Sequence, residues 1–176
     1  MLSLRPAGPG DAAAVAALHA DSWRRHYRGA YRDAFLDGDV LADRLAVWSA
    51  RLADPDGTRT VLAEDTGGLA GFVHVVLDHD PRWGSLVDNL HVAHDRQRGG
   101  IGRTLLARAG AEIGAGRPVY LWVLEQNERA RRFYAALGGS CAGRDVVASQ
   151  PADRLVGTPV KLRIAWPDAA ALQPAG

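Results

Sequence analysis

One segment of the chain constrains the fold more than any other, because it joins a strand pattern to a helix pattern through a loop rich in glycine and arginine. Leu90 and Val92 end the strand pattern, residues 95–102 form the loop, and residues 104–113 carry apolar residues at helical spacing. A helix N-terminus offers unpaired backbone N–H groups and the positive end of the helix dipole. Glycines let a ligand's phosphates approach that backbone. The segment therefore predicts a strand–loop–helix unit that binds an anion.

The other segments place this unit in one mixed α/β domain. Apolar alternation and continuous apolar runs predict strands, and apolar residues three and four apart predict helices. Strands are expected at residues 1–6, 60–64, 69–77, 85–92, 119–124, 140–147 and 160–166, and helices at residues 11–23, 40–52, 104–113 and 128–137. Leu41, Leu45 and Trp48 are expected on the inner face of the second helix.

This order of elements predicts a mixed central sheet flanked by helices. The glycine-containing turn at residues 65–68 joins two strands as an antiparallel hairpin in the N-terminal part. The helix at residues 104–113 is a crossover, which makes a parallel pair in the middle of the sheet. The domain is expected to span residues 1–166, followed by a flexible tail at residues 167–176 that is rich in Ala and Pro.

Charge, cysteine content and hydropathy exclude several classes of protein. The 176 residues include 21 Lys and Arg against 20 Asp and Glu, and this balance argues against a polybasic nucleic-acid-binding protein. The single cysteine, Cys141, excludes an intrachain disulfide framework and a multi-cysteine metal site. No apolar run reaches the roughly 18 residues of a membrane span, and the N-terminus lacks a signal-peptide core. We expect a cytoplasmic protein with no nucleic-acid, membrane or metal partner.

Three kinds of site can be weighed for the glycine loop. A Walker A loop needs a lysine where Arg103 stands, and a dinucleotide loop needs a third glycine where Leu105 stands. Glu125 does follow the next strand, as a dinucleotide site requires, so that alternative stays open. A solvated turn accounts for the glycines but not for the arginines on both sides of them.

A further interpretation of the loop is a resemblance to a known family. The pattern Gln97-x-x-Gly100-x-Gly102 resembles the pyrophosphate loop of the GCN5-related N-acetyltransferases, the GNAT superfamily, and it lies between a strand and a helix as in that family. Residues 123–138 resemble the family's second signature, and residues 21–29 resemble a bacterial branch. The matching positions of the second signature are Asn127, Ala130, Phe133, Tyr134, Leu137 and Gly138. The order of elements is also the family's order.

The resemblance implies a GNAT fold in which acetyl-CoA is bound at the parallel strand pair. A backbone N–H of Leu90 or Val92 is expected to donate to the thioester or pantetheine oxygen, because the two parallel strands splay there in the family. Arg98 replaces a common glycine and adds a cation beside the phosphates. The cofactor-binding residues implied are Leu90, His91, Val92, Gln97, Arg98, Gly99, Gly100, Ile101, Gly102, Arg103, Thr104, Asn127 and Tyr134.

The implied reaction is acetyl transfer to an amine by direct attack on the thioester. Tyr134 matches the family's general acid, which protonates the leaving thiolate; the alternative is a core aromatic whose hydroxyl is already hydrogen-bonded. Asp88 is the first candidate for the base, because alternation along the strand places it on the same face as Leu90 and Val92. His91, Asn89 and His74 are the other candidates.

The implied acceptor is a small-molecule amine held by aromatic side chains. Trp23, Tyr27 and Tyr31 fall where the family's first helices form the acceptor wall, and aromatic rings hold ammonium groups by cation–π contact. Trp122 is also expected to contact the acceptor. It stands where ribosomal-protein acetyltransferases carry an acid, which argues against that substrate class. A non-catalytic acyl-CoA-binding module and a protein N-terminal or lysine acetyltransferase are the alternatives. A homodimer is expected through the strand at residues 160–166, because this late strand is expected to be exposed and family members often pair there.

Overall fold

The fold is taken from a computed structural model, and residues 1–148 and 152–173 are described. The strands are β1 (Ser3–Pro6), β2 (Thr58–Asp65), β3 (Gly68–Asp80), β4 (Gly84–Val92), β5 (Val119–Leu124), β6 (Ser140–Val146) and β7 (Val160–Trp166). The α-helices are α1 (Ala12–His26), α2 (Asp33–Asp37), α3 (Val40–Ala53), α4 (Ile101–Ile113) and α5 (Glu128–Ala136). Helix α2 lies in a stretch that carries no helical period in the sequence.

The strands form one mixed sheet with the order β1-β2-β3-β4-β5-β7-β6. Strands β4 and β5 pair in parallel and the other described neighbours pair antiparallel, which confirms the predicted fold class. The expected exposure of residues 160–166 is wrong. Strand β7 lies inside the sheet between β5 and β6, because both of these strands take up its hydrogen-bonding edges. Strand β7 therefore has no free edge at which a second copy of the chain could pair to form a homodimer.

The parallel strands β4 and β5 separate soon after their pairing begins, which leaves a slot between them. Strands β4 and β5 are paired only at Ser85 with Val119 and at Leu86 with Tyr120. Gly84 makes this close start possible: its φ is +78°, and a Cβ there would lie 2.1 Å from the carbonyl oxygen of Pro118. Beyond this short ladder the two strands diverge toward their C-terminal ends.

Helices cover both faces of the sheet. Helix α4 buries Ile101, Leu105 and Leu106 against strands β2 to β5. On the opposite face, α1 and α3 bury Trp48, Leu52 and neighbouring side chains against Phe72. The predicted inner face of α3 is wrong for its first turns, because Leu41 and Leu45 are 43% and 40% exposed. The buried positions follow the four-residue spacing from Val40 through Trp48 to Leu52.

The C-terminal segment differs from the predicted flexible tail. Residues Ala169–Leu172 form a short 3-10 helix, and Ala169 and Leu172 are buried against α4. The carboxylate of Asp168 accepts backbone N–H bonds from Gly116 and Ala170, at 2.8 Å each. Residues 174–176 of the expected tail lie outside the described residues. No helix in the described ranges is long and apolar enough to cross a membrane.

An arginine and two carboxylates tie the N-terminal strand to its surroundings. Arg5 Nη2 lies 2.8 Å from both Asp11 Oδ1 and Glu64 Oε1. Hydrogen bonds from Arg5 lower the pKa of Asp11 from 3.8 to about 2. Because the folded-state pKa is below the unfolded one, this stabilisation is complete above the unfolded value and is lost as the pH falls toward 2.

Asp11→Asn is expected to lower the free energy of unfolding by about 1 kcal/mol at pH 7, a value discounted because Arg5 is partly solvated. The deficit should shrink as the pH falls toward 2, because the wild-type carboxyl becomes increasingly protonated there. Chemical denaturation at the two pH values measures both numbers. Asp21→Asn, in an exposed helical pair with Arg25, serves as a control with a smaller effect. Equal deficits for Asp11→Asn at both pH values would contradict the prediction.

Candidate active site

A cavity of about 490 Å³ occupies the slot between β4 and β5. Its walls come from these strands, the loop before α4, helix α5 and the C-terminal end of α1. Most of the predicted cofactor-binding residues line it: Leu90, His91, Val92, Gln97, Arg98, Gly100, Ile101, Gly102, Arg103, Asn127 and Tyr134. Gly99 and Thr104 lie in the loop and the first helical turn but are not on the cavity wall. The backbone and side chain of Thr104 both bond back to the Gly100 carbonyl, at 3.0 and 3.3 Å.

The loop exposes the N-terminus of α4 to the cavity. Gly100 is the N-cap with φ +83°, a left-handed conformation that glycine adopts at no steric cost. The first helical bond runs from the Thr104 N–H to Gly100, so the amides of residues 101–103 precede the helix's own hydrogen bonding. Arg98 and Arg103 are exposed, and neither has a carboxylate partner in the described part of the chain. These amides and cations provide a binding site for a polyanion.

A further arginine, Arg129 of α5, contacts the loop. It is not among the cofactor-binding residues predicted from the sequence. Arg129 Nη1 donates to Gln97 Oε1 at 2.6 Å, and Gln97 Nε2 donates more weakly to the Val92 carbonyl at 3.4 Å. Gln97 therefore connects the loop to both α5 and β4. Arg96 does not share this role, because it is paired with Asp65 at 2.8 Å.

Helix α5 carries the residues of the second signature. Asn127 Oδ1 accepts the Ala130 N–H at 3.1 Å, so Asn127 caps the helix as well as lining the cavity. Tyr134 is 8% exposed, and its ring packs against Phe133 and Trp166. Burial raises the pKa of its phenol above the usual value of 10. No side chain in the described ranges bonds the Tyr134 hydroxyl, which leaves it free to bond a ligand in the cavity.

A β-bulge changes the position of Asp88. His74 pairs with Asn89 but Val75 pairs with Val87, so Asp88 is the extra residue of β4. Its expected placement on the face of Leu90 and Val92 is wrong, because the bulge interrupts the alternation. Asp88 instead lies on the α3 side, where its carboxylate is 2.8 Å from Arg51 Nη2. The same arginine donates to Asn89 Oδ1 at 2.8 Å.

The other base candidates have different surroundings. His91 faces α1, with its Nδ1 2.8 Å from Ser22 Oγ, and burial lowers its pKa to about 3. It is therefore neutral at physiological pH, and both members of this pair line the cavity. His74 is buried beside Trp48, is bonded to Thr60 and does not reach the cavity. Ser22 was missed as a site residue, although it lies in the segment that resembles the bacterial branch.

The expected acceptor wall lies only partly at the cavity. Tyr27 lines the cavity, whereas Trp23 and Tyr31 pack behind it with ring centroids 4.9 Å apart. Arg44 lies 4.4 Å above the Trp23 ring and covers it. Trp122 lines the cavity from β5, on the side of the slot that faces α1. Of the four residues expected to bind the acceptor, Tyr27 and Trp122 line the cavity, whereas Trp23 and Tyr31 do not.

Fold and site together define a cavity suited to a long anionic ligand, with a helix N-terminus at one end and diverging parallel strands at the other. Comparison with known proteins then identifies the family. The chain belongs to the Acetyltransferase (GNAT) family, whose model matches residues 19–138. This confirms the resemblance drawn from the two motifs.

Individual relatives agree with the family. The chain is 39% identical over 150 residues to a mycothiol acetyltransferase of Kineococcus radiotolerans, covering 82% of this chain but only 45% of that protein's length. It is 32% identical over 137 residues to a probable N-acetyltransferase of Mycobacterium tuberculosis, covering 76% of each chain. The crystal structure of the PaiA N-acetyltransferase of Thermoplasma acidophilum in complex with coenzyme A superposes with a TM-score of 0.69 at 17% identity, covering 93% of this chain and 98% of that one.

Proposed function

We propose that this protein transfers the acetyl group of acetyl-CoA to the amine of a small molecule. The observation that carries the proposal is that one continuous cavity is lined by the anion-binding loop at one end and by Tyr134 and Asp88 in the slot. The coenzyme A complex of the PaiA structure and the acetyltransferase relatives support the identity of the donor.

The residues present fit acetyl-CoA. The loop amides and Arg98, Arg103 and Arg129 would bind the phosphates, and the diverging edge of β4 offers backbone groups to the pantetheine amides. Acetyl-CoA would supply the acetyl group as a thioester, whose C–S bond breaks as the amide bond forms, and coenzyme A would leave as a thiol. The backbone N–H of Leu90 or Val92 would stabilise the negative charge that develops on the carbonyl oxygen.

In this proposal Tyr134 and Asp88 each carry out one proton transfer. Tyr134, kept protonated by its raised pKa, donates its hydroxyl proton to the leaving sulfur. Asp88 lies on the opposite side of the slot, where it would receive the amine's proton through water. The ion pair with Arg51 fixes the carboxylate through one oxygen, and Asp88 lines the cavity.

Thiol release tests the proposal directly. Purified protein with acetyl-CoA and a panel of small primary amines should release coenzyme A thiol faster than protein with acetyl-CoA alone, and mass spectrometry should show the acetylated amine. Calorimetric binding of acetyl-CoA without amine-dependent release by any panel member would favour the non-catalytic acyl-CoA-binding module instead. Acetylation of peptide N-termini or lysines in preference to small amines would favour a protein acetyltransferase.

Asp88→Asn is expected to lower kcat/KM for the amine by about 10-fold or more, because the amide cannot accept the proton. The affinity for acetyl-CoA should stay unchanged, because the phosphates bind at the other end of the cavity. Steady-state kinetics and calorimetry measure the two effects. Ser22→Ala is the comparison that separates the candidate bases: a loss confined to this variant would place the base at the Ser22–His91 pair.

A further inference from the structure

Two cations lie against Trp122 on the acceptor side of the slot. Lys161 Nζ is 4.4 Å from the centroid of the Trp122 ring, and the Arg163 guanidinium carbon is 4.5 Å from it. Arg163 is directly opposite Trp122 in the β5–β7 register, so their side chains share one face of the sheet. The guanidinium also lies 4.6 Å from the Trp83 ring. It is therefore held between two indole rings.

These two cations have no carboxylate partner in the described part of the chain, unlike Arg51 and Arg44 on the neighbouring helix. Nε of Arg163 is buried without a hydrogen-bond partner among the described residues. Two acids lie nearby. Asp80 accepts the backbone N–H groups of Arg82 and Trp83, and its pKa is lowered by these bonds and by the charge of Arg163, but it forms no ion pair with this arginine. Asp145, opposite Lys161 in the register, forms no ion pair with that lysine.

Charge and geometry together select a kind of acceptor. A guanidinium presents a planar fork that matches a carboxylate, and stacking between aromatic rings fixes its orientation before a ligand arrives. An acceptor with several positive charges would be repelled by Lys161 and Arg163. Trp122 lines the cavity whereas Lys161 and Arg163 do not, so a group bound to these cations would lie beside the part of the cavity wall that Trp122 forms.

We propose that the acceptor amine carries a carboxylate, which binds Arg163 and Lys161 beside Trp122 while the amine points toward Asp88. This proposal rests on the proposed acetyl transfer and names its substrate class. It makes Arg163 a residue that determines acceptor specificity. If the cations only stabilised the sheet face by stacking, their removal would lower the melting temperature and leave acceptor preference unchanged.

The test uses matched amines that differ only in charge. The ω-amino acids 4-aminobutyrate, 5-aminopentanoate and 6-aminohexanoate are compared with their amides by thiol release from acetyl-CoA. We expect at least one carboxylate to exceed its amide by about 10-fold or more in kcat/KM, the size of one good charge-assisted contact. Arg163→Gln should reduce this ratio to near one, and Arg163→Lys should keep part of it.

Arg144→Gln is the matched control, because Arg144 lies on β6 opposite Leu162 on the other face of the sheet and is paired with Glu125. It should keep the wild-type ratio. The proposal is overturned if amides react as well as carboxylates, if no carboxylate in the series reacts, or if Arg163→Gln keeps the preference. Reaction of the amides alone would support acetyl transfer but contradict the carboxylate-binding site. Absence of acetyl-CoA binding by calorimetry would contradict both the proposed function and this inference.

Discussion

Gly100→Asp will weaken acetyl-CoA binding by about 100-fold or more, because it places a negative charge at the helix N-terminus where the phosphates are proposed to bind. A Cβ at Gly100 has no heavy atom within 4 Å, so the new side chain meets open space rather than a clash. The φ of +83° is a left-handed conformation that Asp and Asn tolerate better than other side chains. The fold should therefore survive the substitution.

Gly100→Asn separates the charge from the backbone strain. It has nearly the same shape and strain as Gly100→Asp but carries no charge, so it should lose much less affinity. Isothermal titration calorimetry with acetyl-CoA, together with melting temperatures of both variants, measures the two contributions. Equal affinities for the Asp and Asn variants would show that the phosphates do not bind at this helix N-terminus.

The parts of the site that could be predicted from the sequence are those fixed by local chain geometry. Gly100 and Gly102 stand at the start of α4, and Asn127 stands at the start of α5, where capping and close approach restrict the residue types. The divergence of Phe133 and Tyr134, which are adjacent on α5, is equally local. These residues lie at the cavity because each is positioned by its own helix.

The parts that could not be predicted depend on pairing between distant segments. The bulge at Asp88 is visible only in the register with β3, and it moves this side chain to Arg51. The position of β7 between β5 and β6 likewise depends on tertiary structure. This position brings Arg163 beside Trp122. Leu41 and Leu45 follow the apolar pattern of a buried face, yet the packing of α1 on α3 selects a different face.

Tyr134→Phe is expected to lower kcat by about 100-fold or more, because the substitution removes the proton donor and leaves the thiolate to be protonated by water. Burial keeps the phenol protonated over the whole working pH range, so it can donate at any pH at which the amine is neutral. The affinity for acetyl-CoA and the melting temperature should barely change. The ring still packs against Phe133 and Trp166, and no side chain in the described ranges loses a hydrogen bond.

Tyr134→Leu provides the contrast, since it removes the ring as well and should lower the melting temperature along with activity. Single-turnover kinetics, calorimetry and thermal melts on the two variants distinguish three roles. Unchanged turnover in Tyr134→Phe would make the hydroxyl dispensable. A joint fall in affinity and melting temperature in the same variant would make Tyr134 a packing residue. A fall in turnover alone places the proton at the Tyr134 oxygen, since the phenylalanine ring retains every packing contact and lacks only that group.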